Sequence, residues 1–221
     1  MEPGLKKNKS LEFDAKDTGA LLLLKTAERL FAVHGLEAVS TRLISREAGQ
    51  KNHSALQYHF GSKEGLIEAI LNHRITPINK ERLRRLELLK NRGEIISVKK
   101  LVEIFVYPFS EELLKPNDDS IYVSTLAQLY AYQRGRDLFL KNRERNRAMF
   151  EITTLMIKVL KPLPLPIIHL RLQFMGRQTM NAIAEWDEAR RSKAIELDED
   201  SLNWRTENLV NFIVGGLQTK S

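Results

Sequence analysis

Apolar residues recur along this chain with the period of a helix and not the alternation of a strand. Leu23, Ala27, Leu30 and Phe31 fall at i, i+4, i+7 and i+8, a single stripe that predicts a helix from Thr18 to His34, closed by Gly35. Leu66, Ile67, Ile70 and Leu71 give the same stripe after residue 62, and Ile78, Leu83, Leu86 and Leu89 continue it to about Lys90. Pro77 lies between these two groups and, lacking an amide, predicts a kink or break there. Further helices are predicted at about 97–115, 120–134, 137–160, 165–192 and 200–217, separated by the PNDD run at 116–119, Gly135, and KPLPLP at 161–166. No strand-like alternation or hairpin signal interrupts them, so the fold class is all-α.

The stretch from 38 to 66 departs from simple amphipathicity. Ser40 and Thr41 offer hydroxyl caps for a short helix running to about Ala48, and Gly49 supplies the backbone that ends it. Small Ser45 and Ala48 beside Ile44 allow close crossing by a second helix, whose Leu56 and Phe60 supply the apolar side. The remainder of that second helix is Asn52, His53, Ser54, Gln57, Tyr58 and His59, hydrogen-bonding groups and not the Lys/Glu mixture of a solvated face. Such groups read base edges or hold phosphate oxygens. Ser62 caps the next helix, whose unpaired amides together with Lys63 form an expected anion site.

Three motifs within this region, LLKTAERLFAVHG at 23–35, TRLISREAG at 41–49 and YHFGSKEGLIEAIL at 58–71, resemble the N-terminal domain of TetR/AcrR-type bacterial transcriptional regulators. Two departures from the family's pattern stand out. The segment from Gly49 to Tyr58 is one residue longer, and polar Gln50 replaces a small aliphatic residue. The resemblance implies a helix-turn-helix domain over residues 1–74 and a larger helical domain over 75–221 for dimerisation and effector binding; residues 1–17, where Lys6, Lys7, Lys9 and a Pro-Gly pair sit among few large apolar groups, are expected to be flexible. It also implies double-stranded operator DNA as a partner, a homodimer, and repression as the usual mode. Asn52, Ser54 and Gln57 are then the expected base contacts, with Thr41, Arg42, Tyr58, His59 and Lys63 on phosphate and His53 beside them. Dimerisation through the last two helices would draw on Leu172, Met175, Thr179, Ile183, Leu209, Phe212 and Ile213, although the same stripes suit an intramolecular core. Release by a small hydrophobic effector would draw on aromatic residues such as Phe105, Phe109, Tyr122, Tyr130, Phe150 and Phe174, which at helical spacing equally suit plain core. A swing of the fourth helix near Pro77 would transmit it.

Composition changes this picture in a few places. The chain of 221 residues, 43% hydrophobic, is long enough for a sizeable core. It has no cysteine, which excludes disulfides and thiolate chemistry and fits a cytoplasmic protein. No apolar run is long enough to span a bilayer, so no membrane partner is expected. The net charge of +7 is concentrated in residues 75–100, with 8 Lys+Arg against 3 Asp+Glu, so the motif and not local basicity carries the DNA reading. The five histidines, at 34, 53, 59, 73 and 169, form no ligand set, and no nucleophile elbow or phosphate-binding glycine loop occurs. Neither enzyme activity nor a cofactor is expected. The rival reading is a helical ligand carrier or interaction module that retains the helix-turn-helix without using it on DNA.

Overall fold

The computed structural model describes residues 17–50, 54–115 and 121–219, and every regular element among them is helical. In chain order these are α1 (Thr18–Ala38), α2 (Thr41–Glu47), α3 (Ala55–Phe60), α4 (Lys63–Asn91), α5 (Val98–Ser110), a 3-10 turn (Glu111–Leu114), α6 (Tyr122–Ala131), α7 (Gln133–Lys141), α8 (Arg147–Val159), α9 (Leu165–Arg191) and α10 (Glu199–Gln218).

Local chemistry sets the first boundaries. Asp17 caps α1 by accepting from the amides of Gly19 and Ala20 at 3.0 and 3.2 Å. Gly35, at φ 76° and ψ 164°, takes a conformation that strains any residue with a Cβ, and it turns the chain where the sequence predicts the helix to close. The predicted stripe is buried: Leu23, Ala27 and Phe31 have no exposure. One hydrophobic cluster runs from α1–α4 through α6 to Phe139, Ile183 and Leu202. A second joins the end of α4 to α5, α8, α9 and α10 around Leu86, Leu101, Met156 and Val210. Helix α6 packs on both α1 and α9, so the scaffold of α2 and α3 rests directly on the body.

The helix pattern departs from expectation at three points. The chain does not break at Pro77, an exposed residue, because buried Ile75, Ile78 and Arg82 anchor α4 on both sides of it. Gly135 is not a separator; it lies inside α7, where a Cβ would overlap the Leu129 carbonyl. The break falls before it, at Tyr132, and Arg136 Nη1 donates to the Tyr130 carbonyl oxygen, 3.1 Å away, at the end of α6. The helix predicted over 137–160 is two, α7 and α8. Asn142 Oδ1 accepts from the Arg145 amide at 2.9 Å and Asn146 Nδ2 donates to the Asn142 carbonyl at 2.9 Å, side-chain bonds that compete with the helical ladder.

Candidate nucleic-acid interface

Helix α2 begins at Ser40, whose hydroxyl accepts from the Leu43 amide at 3.1 Å, and Ile44 and Ser45 are buried on its inner side. After the turn at Gly49 (φ 66°), α3 lays Leu56 and Phe60 inward. With those two fixed, Ser54, Gln57 and Tyr58, at i, i+3 and i+4, share the outward face. All three are exposed, Tyr58 by 82%. Thr41 and Arg42 are exposed at the start of α2. Asn52 and His53 lie outside the described residues.

Two residues expected at phosphates also have partners within the protein. His59 is half-buried, with Nδ1 3.3 Å from Asp17 Oδ2, so it fastens α3 to the cap of α1. Lys63 Nζ donates to the Leu36 carbonyl at 2.6 Å and sits 5.7 Å from the centroid of the Phe31 ring. Burial lowers its pKa. The ammonium therefore closes the turn after α1 and is not a bare cation at the start of α4. The cap itself is as expected, with Ser62 Oγ accepting from the Gly65 amide at 3.0 Å.

Gly65 matters for a different reason, because a Cβ there would overlap the Phe60 carbonyl oxygen. Backbone meets backbone at this point, and no side-chain rearrangement relieves the clash. Gly65→Ala is expected to shift α3 against α4 and to weaken duplex binding by roughly tenfold or more, with helical circular dichroism preserved. Unchanged binding by the variant would count against α3 as the reader.

The sequence reading missed the buried polar junction behind these helices. Glu28 grips Arg74 of α4 through both carboxylate oxygens, each contact 2.8 Å, and its side chain is 2% exposed. The Arg74 guanidinium stacks 4.1 Å from the centroid of the Tyr122 ring, and Thr125 Oγ1 donates to the Glu28 carbonyl at 2.7 Å. A signal was present: Glu28 follows Leu24 by four residues and precedes Phe31 by three, which places it on the buried stripe.

In the body, the predicted self-association residues mostly face inward. Met175, Thr179, Ile183 and Ile213 are buried within the chain, and Leu172 and Leu209 are half-buried against the second cluster. Only Phe212 of the seven is exposed, by 66%. The outward faces of α9 and α10 carry other large apolar groups that the stripes did not single out, Leu170, Phe174 and Trp204. Phe174 and Phe212 line a common groove of about 410 Å³ between the two helices. The aromatic residues expected around an effector do not converge: Phe105 belongs to the second cluster, Phe109, Tyr122 and Tyr130 to the first, and Phe150 and Phe174 are on the surface. They fill core or cover it, as aromatics at helical spacing ordinarily do.

This geometry, two short crossed helices on a capped third with a polar outward face, coincides with a sequence match. Residues 23–70 fit the family model described as bacterial regulatory proteins, tetR family. They form a TetR-family domain. The likeness in fold extends past that TetR-type domain. A TetR family transcription regulator from Marinobacter aquaeolei VT8 superposes with a TM-score of 0.56 at 14% identity, over 88% of this chain and 95% of that one. AmtR of Mycobacterium smegmatis gives 0.55 at 19% identity, over 94% and 90%. NalD of Pseudomonas aeruginosa, the secondary repressor of the MexAB-OprM multidrug efflux pump, gives 0.57 at 17% identity, over 90% and 96%. Among proteins of curated function, none matches the chain in sequence. The whole chain thus has the fold of TetR-family transcription regulators, a helix-turn-helix domain followed by a larger helical one. No helix among the described residues is long and apolar enough to cross a membrane.

Proposed function

We propose that the protein is a sequence-specific DNA-binding transcriptional regulator and not an enzyme. It acts on the chromosome in the cytoplasm, with residues 1–74 on DNA and 75–221 serving dimerisation and effector response. The observation that carries this reading is the exposure of Ser54, Gln57 and Tyr58 on one face of α3, braced from behind by Leu56 and Phe60. A polar, hydrogen-bonding face on a helix of this kind suits the major groove, and Thr41 and Arg42 suit the flanking phosphates. Two copies related by a two-fold axis would set their reading helices about 34–36 Å apart, matching the two halves of a palindromic operator. The exposed groove holding Phe174 and Phe212 is the surface through which the pair would form. Repression is the proposed mode, with release by a small-molecule effector that biases α4, continuous from Lys63 to Asn91 and shared by both halves of the chain.

Gel-shift titration on duplexes from the upstream region of the protein's own gene tests the reading. Binding should fall steeply between 50 and 200 mM salt and should discriminate against scrambled sequence by roughly 10³-fold or more. Absence of any sequence preference at moderate salt would instead favour a ligand carrier. Gln57→Ala is expected to relax preference at a single base pair, worth about 1–3 kcal/mol there, whereas Arg42→Ala should weaken all sequences alike. Competition with operator variants separates these outcomes.

A further inference from the structure

A polar cleft of about 450 Å³ lies between α4 and the connection from α7 to α8. Asn72, Thr76, Asn79 and Lys80 of α4 form one wall, and Arg145 and Arg147 belong to the other. Leu83 and Ala148 are its apolar lining residues, so it does not suit the hydrophobic ligand that the aromatic content suggested. Three observations describe its charge. Lys80 has no carboxylate within ion-pair distance among the described residues. The Arg145 side chain is 1% exposed; Nη1 donates to Glu68 Oε1 and Asn72 Oδ1, each at 2.7 Å, and Nη2 to the Leu138 and Phe139 carbonyls at 3.0 and 3.2 Å, so that only its Nε is buried without a hydrogen-bond partner. Directly behind Asn79, Arg82 is 3% exposed and likewise meets no carboxylate among the described residues.

Arg82 is held by neutral groups. Nε donates to the Phe105 carbonyl at 2.9 Å and Nη1 to Asn79 Oδ1 at 2.9 Å, and the guanidinium lies 4.6 Å from the centroid of the Phe105 ring. Burial lowers its pKa to about 9, which leaves it a cation at neutral pH. A buried charge without a counter-charge is costly, and a buried unpaired donor such as Arg145 Nε adds to that cost. Of the carboxylates nearby, Glu68 meets Arg145 and Asn142 through Oε1 while its Oε2 is buried without a partner, Glu151 is engaged with Lys90 and Arg147, and Glu144 is on the lining.

We propose that this cleft is an anion site, taking a small polar molecule that carries a carboxylate or phosphate group between Lys80, Arg145 and Arg147. The anion would supply the counter-charge that Arg82 lacks. It would also act on the reader. Arg145 bonds Glu68 and Asn72, one and two turns from the start of α4, so a ligand drawing on its guanidinium changes what holds the end of α4 that packs against α3. This second step rests on the proposed DNA-binding function, whereas the site itself does not.

Isothermal titration of the full-length protein with succinate and with inorganic phosphate, at ionic strength matched with chloride, tests the site. Saturable binding of at least one is expected, and which one binds identifies the headgroup class. Binding should weaken about tenfold or more in Lys80→Glu, a change on an exposed helical position that leaves the fold intact, and similarly in Arg147→Glu. No saturable binding beyond chloride, or equal binding by wild type and both variants, overturns the site. Operator affinity is measured with and without the bound anion. A changed affinity supports the effector role, and an unchanged affinity removes that role while leaving DNA binding in place. A protein that binds anion but no duplex upholds the site and refutes the proposed function.

Discussion

Phe212→Glu is expected to dissociate the proposed dimer into monomers in sedimentation at micromolar concentration, and to lower affinity for the proposed operator by about 10²-fold or more. The argument begins with exposure. A phenylalanine left 66% exposed beside Phe174, which is 51% exposed on the facing helix, is an apolar surface that a single subunit does not cover. A two-fold interface uses the same patch twice, so one substitution removes two aromatic anchors and introduces two carboxylates to be desolvated. Each buried aromatic contributes about 1.5–3 kcal/mol through the area it hides. Losing the pair also disconnects the two half-sites, and linked binding of this kind is worth about 10²–10⁴ in affinity. The monomer's own core should be spared, because Phe212 contributes little to it. Its neighbour makes the contrast: Ile213 is 5% exposed, and Ile213→Ala should lose about 2–5 kcal/mol of stability with no specific effect on association. A Phe212→Glu protein that still sediments as a dimer would move the interface elsewhere.

The contrast between residues 212 and 213 also shows what a sequence can and cannot disclose. The stripe on α10 was legible because apolar spacing marks a helix face. Spacing does not say whether that face meets the same chain or another, and here most of the stripe faces inward while Phe174, whose aromatic ring equally suits an effector contact, faces outward. The amino-terminal helices were read more closely because their signals are local. Ser40, Gly35, Gly49 and Ser62 act within one turn, and the structure shows the cap or positive φ that each was expected to provide. The internal contacts of Lys63 and His59 escape the sequence for the opposite reason. Their partners, the Leu36 carbonyl and Asp17, are 27 and 42 positions away in sequence, and only folding brings them together. The division at Asn142 depended on side chains bonding backbone, a competition that hydrophobic periodicity does not register.

The largest effect on stability is expected at a residue that touches neither the proposed DNA face nor the proposed dimer face. Glu28→Ala should cost about 3–5 kcal/mol, the usual consequence of removing one partner from a buried ion pair, because Arg74 is left with a guanidinium whose side chain is only 12% exposed. For a chain of this size each kcal/mol moves the midpoint by about 2–4 °C, so thermal unfolding should come roughly 10 °C earlier. Replacing both partners by apolar residues of similar volume, Glu28→Leu with Arg74→Met, should recover most of the loss, since no charge then remains uncompensated. The double substitution thereby separates the pair's contribution to stability from its contribution to geometry. Glu28 and Arg74 join α1 to α4, and through the Tyr122 ring and the Thr125 hydroxyl both are tied to α6. An apolar pair fills that space without the two fixed 2.8 Å bonds, so α1 gains freedom against α4. Operator affinity measured well below the midpoint should therefore stay reduced in the double variant even though its stability has returned. Full recovery of both would assign the pair to stability alone, and an unfolding midpoint within about 2 °C of wild type for Glu28→Ala would mean that this junction does not hold the reader to the body.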